Sequence, residues 1–284
     1  MIAVTGATGQ LGRLVIDALL NSVAPTDVIA LVRDPLKAQD LVAKGVIVRR
    51  ADYSEPQTLD AALAGVSKLL LISSSEIGQR SAQHRAVIQA AKAAGVQLLA
   101  YTSVLKADTS PLGLAAEHRD TEQALAESGL DHVLLRNGWY HENYTASVPA
   151  AVEHGAILGS AGEGRIASAS RADYADAAAV VLTQDGHAGK VYELAGDDSY
   201  SLAELAVEVA KQSGRPVIYS DLPEQQYKAA LIGIGLPDVF AALLSDSDTG
   251  AAKGALFDDS RQLSQLIGRA TTPIAVSVAQ ALKH

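Results

Sequence analysis

The chain has 284 residues and a formal net charge of −9; 48% of it is hydrophobic but only 4% is aromatic. It holds no cysteine, which excludes a disulfide framework, a thiol nucleophile and a cysteine-ligated metal centre. No run of Lys or Arg forms the basic stripe of a nucleic-acid groove, and no stretch of about 18 uncharged apolar residues reads as a membrane span.

The chain opens on a strand-like run, 2–5 (IAVT), with neither a basic leader nor a long apolar segment before it, so a cytoplasmic location is expected. Further strand-like runs follow at 27–32, 46–50, 68–73, 97–103 and 132–136. Stretches of helical period such as QLGRLVIDALLN and RAVIQAAKAAG lie between them. Strands alternating with helices predict right-handed crossovers and an α/β fold, a Rossmann-type doubly wound parallel sheet. After Arg136 come a polar, aromatic segment (NGWYHENYTAS) and a Gly/Ser-rich one, GAILGSAGEGRIASAS. A helix over 172–184 and a strand over 191–196 then return to the main sheet. Helices dominate from Ser201: SLAELAVEVAKQSG, PEQQYKAALIGIG and two short ones near the end. The expected division is a dinucleotide-binding domain over 1–197 and a smaller, mainly helical lobe over 198–284, with part of 155–170 joining the lobe. The cleft between them is the default ligand site. The Ala/Leu-rich C-terminal helices suit either a core or an interface in a homo-oligomer.

GATGQLG, the run Gly6, Ala7, Thr8, Gly9, Gln10, Leu11 and Gly12, sits directly after the first strand and opens a helix. Gly6 permits the sharp turn, Gly9 lets backbone close on a pyrophosphate, and Gly12 allows tight helix packing, while the helix N-terminus offers oriented N–H groups. Dinucleotide binding is the sharper reading, a Gly-rich structural turn the plainer one. At the end of the second strand, Arg33 stands where a guanidinium would accept the 2′-phosphate of NADP(H). The other reading makes Arg33 a solvated charge and Asp34 a cap for the next helix.

The GxxGxxG spacing, LVRDP (31–35), ADY (51–53), LLISSSE (70–76), AYTS (100–103), the stretch Glu117–Glu122 and LLRNGWYHENY (134–144) together resemble the NmrA-like branch of the atypical short-chain dehydrogenase/reductases, over nearly the whole chain. Within that branch the segments are most similar to the quinone reductases, with triarylmethane dye reductases close by. The resemblance implies an adenine-edge contact at Asp52 and Tyr53, a ribose contact at Ser73, Ser74 and Ser75, and a nicotinamide-side segment of Asn137, Gly138, Trp139, Tyr140, His141 and Glu142. Arg171 heads the later helix and would either reach that site or be an ordinary surface Arg.

Most of the superfamily reduces carbonyls with a Tyr-x-x-x-Lys pair, and none of the nine tyrosines here has Lys four residues on. Aligning Glu122 with the family's glutamate puts Leu114 at the Tyr position and His118 at the Lys position. Without a positioned acid, reduction of an ordinary ketone loses roughly 10²–10⁴-fold. A quinone, whose reduced anion solvent can protonate, tolerates the loss. The expected activity is therefore NADPH-dependent quinone reduction by direct hydride transfer from the nicotinamide, with neither flavin nor metal. The alternatives are an NADP(H)-binding redox sensor without turnover, or a reductase of other flat conjugated acceptors. His118 is a weak candidate proton donor, with a helix His satisfied by Glu122 as the plainer reading. Lys106 is a weak candidate cation at the cofactor, or a surface lysine. No His pair has metal spacing. Of the twelve aromatic residues, Trp139, Tyr140 and Tyr144 fall in one six-residue window. With Asn143, they are the expected acceptor-binding residues by offset stacking, the alternative being an aromatic plug where the two lobes meet.

Overall fold

The computed structural model describes residues 1–283. In chain order come β1 (Ile2–Val4), α1 (Gln10–Leu19), β2 (Val28–Val32), α2 (Gln39–Ala43), β3 (Ile47–Arg50) and α3 (Pro56–Ala62). β4 (Lys68–Leu71), α4 (Arg80–Ala93), β5 (Leu98–Val104), α5 (Ala115–Ser128) and β6 (His132–Asn137) follow. Next are α6 (His141–Thr145), α7 (Val148–His154), β7 (Ala156–Gly159), α8 (Arg171–Thr183) and β8 (Val191–Leu194). The last are α9 (Leu202–Ser213), β9 (Ile218–Asp221), α10 (Glu224–Gly233), α11 (Asp238–Ala252), α12 (Gln262–Ile267) and α13 (Ile274–Ala281).

Seven strands form one parallel sheet in the order β3-β2-β1-β4-β5-β6-β8, the doubly wound order the alternating pattern predicts. Its direction of growth reverses between β1 and β4, whose register pairs Val4 with Leu70. β2 is buried at all five positions, as a strand covered on both faces must be. Ile29, Leu31, Leu69, Leu71, Leu99 and Tyr101 point to one face and pack with Leu59, Leu63, Val87, Ala91 and Leu125 of the helical layer there. α1 and α8 pack against each other, α1 burying Leu11, Val15, Ile16 and Leu19 at helical spacing.

The chain divides into two compact units. The first comprises 1–107, 116–137 and 171–192; the second comprises 108–115, 138–170 and everything from Glu193 onward. A single boundary near 197 therefore does not describe the chain, because 108–115 and 138–170 group with the C-terminal part. The second unit is also less purely helical than expected. β7 and β9 pair in parallel, Ala156 against Ile218, and α11 is a 15-residue helix beyond those expected from the sequence. Among the described residues, no helix is long and apolar enough to cross a membrane.

Within the first unit, Arg136 and Glu122 make a buried bidentate ion pair, Nε to Oε1 at 3.0 Å and Nη2 to Oε2 at 2.7 Å. The Ser103 hydroxyl adds a bond to Oε1 at 2.5 Å. Removing one member of such a pair leaves the other charge desolvated. Glu122→Ala is expected to lower unfolding stability by about 3 kcal/mol, read as a shift of the urea midpoint at unchanged slope.

Candidate functional site

The reversal between β1 and β4 leaves a crevice at the carboxyl ends of the strands, and the first unit carries a cleft of about 760 Å³ there. It is lined by Gly6, Thr8, Gly9, Gln10, Leu11 and Gly12 from the first loop and by Arg33 after β2. Asp52 and Tyr53 after β3, and Ser73, Ser74 and Ser75 after β4, complete the sequence-expected part of the lining. Ala7 is fully buried beneath the loop, its N–H donating to the Leu31 carbonyl at 3.3 Å.

The glycine loop is tight for reasons a side chain would violate. Gly6 has φ +58, a conformation that costs other L-residues strain. A Cβ on Gly12 would stand 2.4 Å from the Gly6 carbonyl oxygen and 2.8 Å from the Ala7 Cα, so only glycine lets α1 begin this close to the turn. Gly9 caps α1 without a side-chain hydrogen bond, which leaves the first amides of the helix to a ligand.

The other wall, 72–76, is held by side chains from elsewhere in the first unit. The Ile72 N–H donates to Thr5 Oγ1 (2.9 Å), and the Ile72 carbonyl accepts from the Tyr53 hydroxyl (3.0 Å). The Ser73 N–H donates to Thr102 Oγ1 (2.9 Å), and the Ser74 carbonyl accepts from Arg80 Nε (2.8 Å). The Ser74 N–H donates to His84 Nε2 (2.9 Å), which fixes the tautomer: Nδ1 carries the proton and donates to Thr121 Oγ1 (2.9 Å). Burial, with the Arg80 charge, lowers the His84 pKa to about 3, so the imidazole stays neutral and the arrangement holds at physiological pH.

The cleft lining carries charge of both signs. Arg13, Arg33 and Lys37 supply cations, Asp52 and Glu76 carboxylates. Arg13 is tied to Asp40 and donates to the Lys37 carbonyl (2.9 Å). Asp52 accepts from the Ser54 N–H (2.9 Å), and Asp34 caps the following turn through the Leu36 N–H (3.0 Å). Glu76 lies within the LLISSSE run, while no sequence motif marks Arg13, Lys37 or Gln83.

The remaining expected residues are not among those that line this cleft. Asn137 ends β6 in the first unit; it is 5% exposed, and its side-chain oxygen has no hydrogen-bond partner among the described residues. Arg171 begins α8, and Lys106 follows β5 with an unusual positive φ of 51. His118 is buried, and its Nδ1 lies 2.7 Å from the Tyr101 hydroxyl. Its partner is thus Tyr101 and not Glu122, whose carboxylate is committed to Arg136 and Ser103. Burial drives its pKa well below the ordinary value. A neutral imidazole enclosed in this way is a poor proton donor.

Gly138 to Tyr144 belong to the second unit. The backbone there is braced by bonds from the Ala169 N–H to the Trp139 carbonyl (3.1 Å) and from the His141 N–H to the Ala169 carbonyl (2.9 Å). His141 is buried, with Nε2 donating to the Ser168 carbonyl (3.0 Å) and Nδ1 2.9 Å from the Ser277 hydroxyl. Trp139 is buried, Tyr140 half-buried, and Glu142 and Asn143 stand in the short helix α6. Tyr144 is buried and donates its hydroxyl to Asp248 (3.1 Å), whose other oxygen accepts from the Ser160 N–H (2.9 Å). Burial, aided by the Asp221 charge, raises the Asp248 pKa from 3.8 to about 6 against the pull of those two bonds. An acid with a raised folded pKa contributes most at low pH and loses that contribution as pH climbs through the folded value. Asp248→Asn is therefore expected to gain stability over the parent between pH 4 and pH 7, by on the order of 3 kcal/mol, checked by denaturant midpoints at several pH values.

Comparison with known proteins agrees with the fold. A sequence model described as NAD(P)H-binding matches residues 6–185. Quinone oxidoreductase 2 of Escherichia coli K12 is 61% identical over 279 residues, 98% of each chain. The crystal structure of the E. coli NADPH-dependent quinone oxidoreductase complexed with NADPH superposes with a TM-score of 0.97 at 60% identity, covering 99% of this chain and 100% of that one. Citrobacter sp. triphenylmethane reductase complexed with NADP(H) follows the same path, with a TM-score of 0.95, 39% identity and coverage of 99% and 100%. The glycine loop, at the switch point of a seven-stranded sheet, thus sits inside the matched region, and the chain belongs to the NAD(P)H-binding family.

Proposed function

We propose that this chain is an NADPH-dependent quinone reductase. The observation that carries the reading is that Arg33 and Lys37 line the same cleft as the glycine loop, in a chain 61% identical to E. coli quinone oxidoreductase 2. The amides that open α1 suit the pyrophosphate, and the constricted turn at Gly6 and Gly12 suits its close approach. Arg33 and Lys37 suit a 2′-phosphate, for which a planar guanidinium is the better donor. Tyr53 offers its ring to the adenine side, since its hydroxyl is bonded to Ile72. Ser73, Ser74 and Ser75 offer hydroxyls to the ribose from a backbone that is already fixed. The buried Asn137 oxygen supports a hydrogen bond to a ligand donor, because a buried acceptor without a partner is costly. Gly138 to Glu142 and Arg171 are assigned to the nicotinamide side.

When bound, reduced NADPH supplies a hydride. The chain's own task is to orient the reactants and exclude water. A quinone reduced by two electrons gives a stabilised hydroquinone anion that solvent protonates, which accords with a chain that has no Tyr-x-x-x-Lys pair. Trp139, Tyr140, Asn143 and Tyr144 are assigned to the flat acceptor. Tyr144 would contribute its ring, its hydroxyl being engaged by Asp248. The reading needs no flavin and no metal ligands, and a reductant of this kind implies the cytoplasm as its location.

The test is NADPH oxidation by the purified protein with and without a simple benzoquinone, with NADH as comparator. Quinone-dependent oxidation is expected, faster with NADPH; tight NADPH binding without it, across a range of acceptors, would point to a redox sensor. Losing a charge-assisted bond to phosphate costs about 1.5–3 kcal/mol, so Arg33→Ala should weaken NADPH binding about 10–100-fold and leave NADH nearly unchanged. Unaltered NADPH affinity would remove Arg33 from the site.

A further inference from the structure

Arg33 does not stand alone in the cleft. Its Nη1 lies 2.6 Å from Glu76 Oε1, and the second carboxylate oxygen of Glu76 accepts from Gln83 Nε2 at 2.7 Å. Gln83 is buried and is itself fixed by a bond from the same Nε2 to Ser54 Oγ at 3.1 Å. The Glu76 N–H donates to Ser74 Oγ at 3.1 Å, so the carboxylate rises from the same pinned loop that forms one wall of the cleft. An anion is thus presented to the guanidinium from a rigid base, through a residue 43 positions away in sequence. Asp34, the carboxylate next to Arg33, is occupied by the Leu36 N–H, which leaves Glu76 as the acidic group that meets Arg33.

Resting on the NADPH reading above, we propose that Glu76 is a specificity-determining residue that moderates the preference for NADPH over NADH by competing with the 2′-phosphate for Arg33. A dinucleotide bearing the phosphate must either break the Arg33–Glu76 pair or place a dianion beside a carboxylate. A dinucleotide with a free 2′-hydroxyl does neither, and finds in Glu76 a ready hydrogen-bond acceptor. The penalty therefore falls on one cofactor alone. Arg33 and Glu76 are 69% and 42% exposed, so water and salt screen the pair and the effect is modest.

The experiment measures Kd for NADPH and NADH by fluorescence titration of the parent, Glu76→Gln and Arg33→Ala, at low and at high salt. Glu76→Gln is isosteric and keeps an oxygen for Gln83. It should tighten NADPH binding about fivefold at low salt, less at high salt, and leave NADH unchanged or slightly weaker. NADPH binding that is unchanged or weaker in Glu76→Gln, while Arg33→Ala still loses affinity, overturns this inference alone. It would mean that Glu76 orients Arg33 toward the phosphate. A parent that shows no preference for NADPH, with Arg33→Ala equal to it, overturns the cofactor reading and this inference together.

Discussion

Where β1 leaves the sheet, its ladder to β4 would end with unpaired groups at the floor of the cleft. Thr5 closes that gap: its N–H and its hydroxyl both donate to the Leu70 carbonyl (3.0 and 3.1 Å), and its Oγ1 accepts from the Ile72 N–H (2.9 Å). One side chain thus continues the pairing past the last regular residue of either strand. The glycine loop departs on one side of it and 72–76 on the other. Their separation, and so the width of the cleft, follows from this junction. Buried backbone groups must find partners, and this one finds them in a way that also positions a ligand site.

The same economy governs the polar residues behind the cleft. Thr102, His84, Arg80 and Tyr53 each satisfy one backbone group of the wall, and His84 in turn is satisfied by Thr121. Each link has one donor and one acceptor, so the neutral state of His84 is a requirement of the arrangement. A protonated imidazole would set two N–H groups against each other at Ser74. The strong downward shift of its pKa by burial keeps the wall insensitive to pH across the range in which most enzymes work. The second unit has the opposite character, since Asp248 is an acid held near neutrality by its surroundings.

Much of this was legible in the sequence, and what was not has physical causes. The inner strands β2, β1, β4, β5 and β6 announce themselves as apolar runs between helical periods because both their faces are covered, as at β2 and β5, where every position is buried. β7 and β9 do not. The apolar run of β7, AIL, is short and lies in a Gly/Ser-rich stretch, β9 reads IYSD, and Leu158 and Ile218 are exposed, so no strand signal stands out at either. The assignment of 108–115 and 138–170 to the second unit was equally hidden, because grouping by contact leaves no local signature. In the cleft, the glycine loop was readable because steric need maps onto a residue type. Glu76, Gln83 and Lys37 were not, because an exposed Glu, a buried Gln and a surface Lys acquire meaning only when folding brings distant segments together. His118 follows the same logic: neither its Tyr101 partner nor the enclosure that lowers its pKa leaves a mark in the sequence.

The pinned wall at 72–76 also bears on how this site can vary. Five side chains hold its backbone, from Thr5, Tyr53, Arg80, His84 and Thr102, which come from four separate stretches of chain, Arg80 and His84 sharing α4. Tyr53 also lines the cleft, but a substitution at any of the other four alters it through main-chain position, without adding or removing a group at its surface. Divergence among relatives in cofactor handling can therefore accumulate at positions that an inventory of lining residues would pass over. Grafting the lining onto another scaffold would transfer the site's chemistry without the geometry that gives it effect.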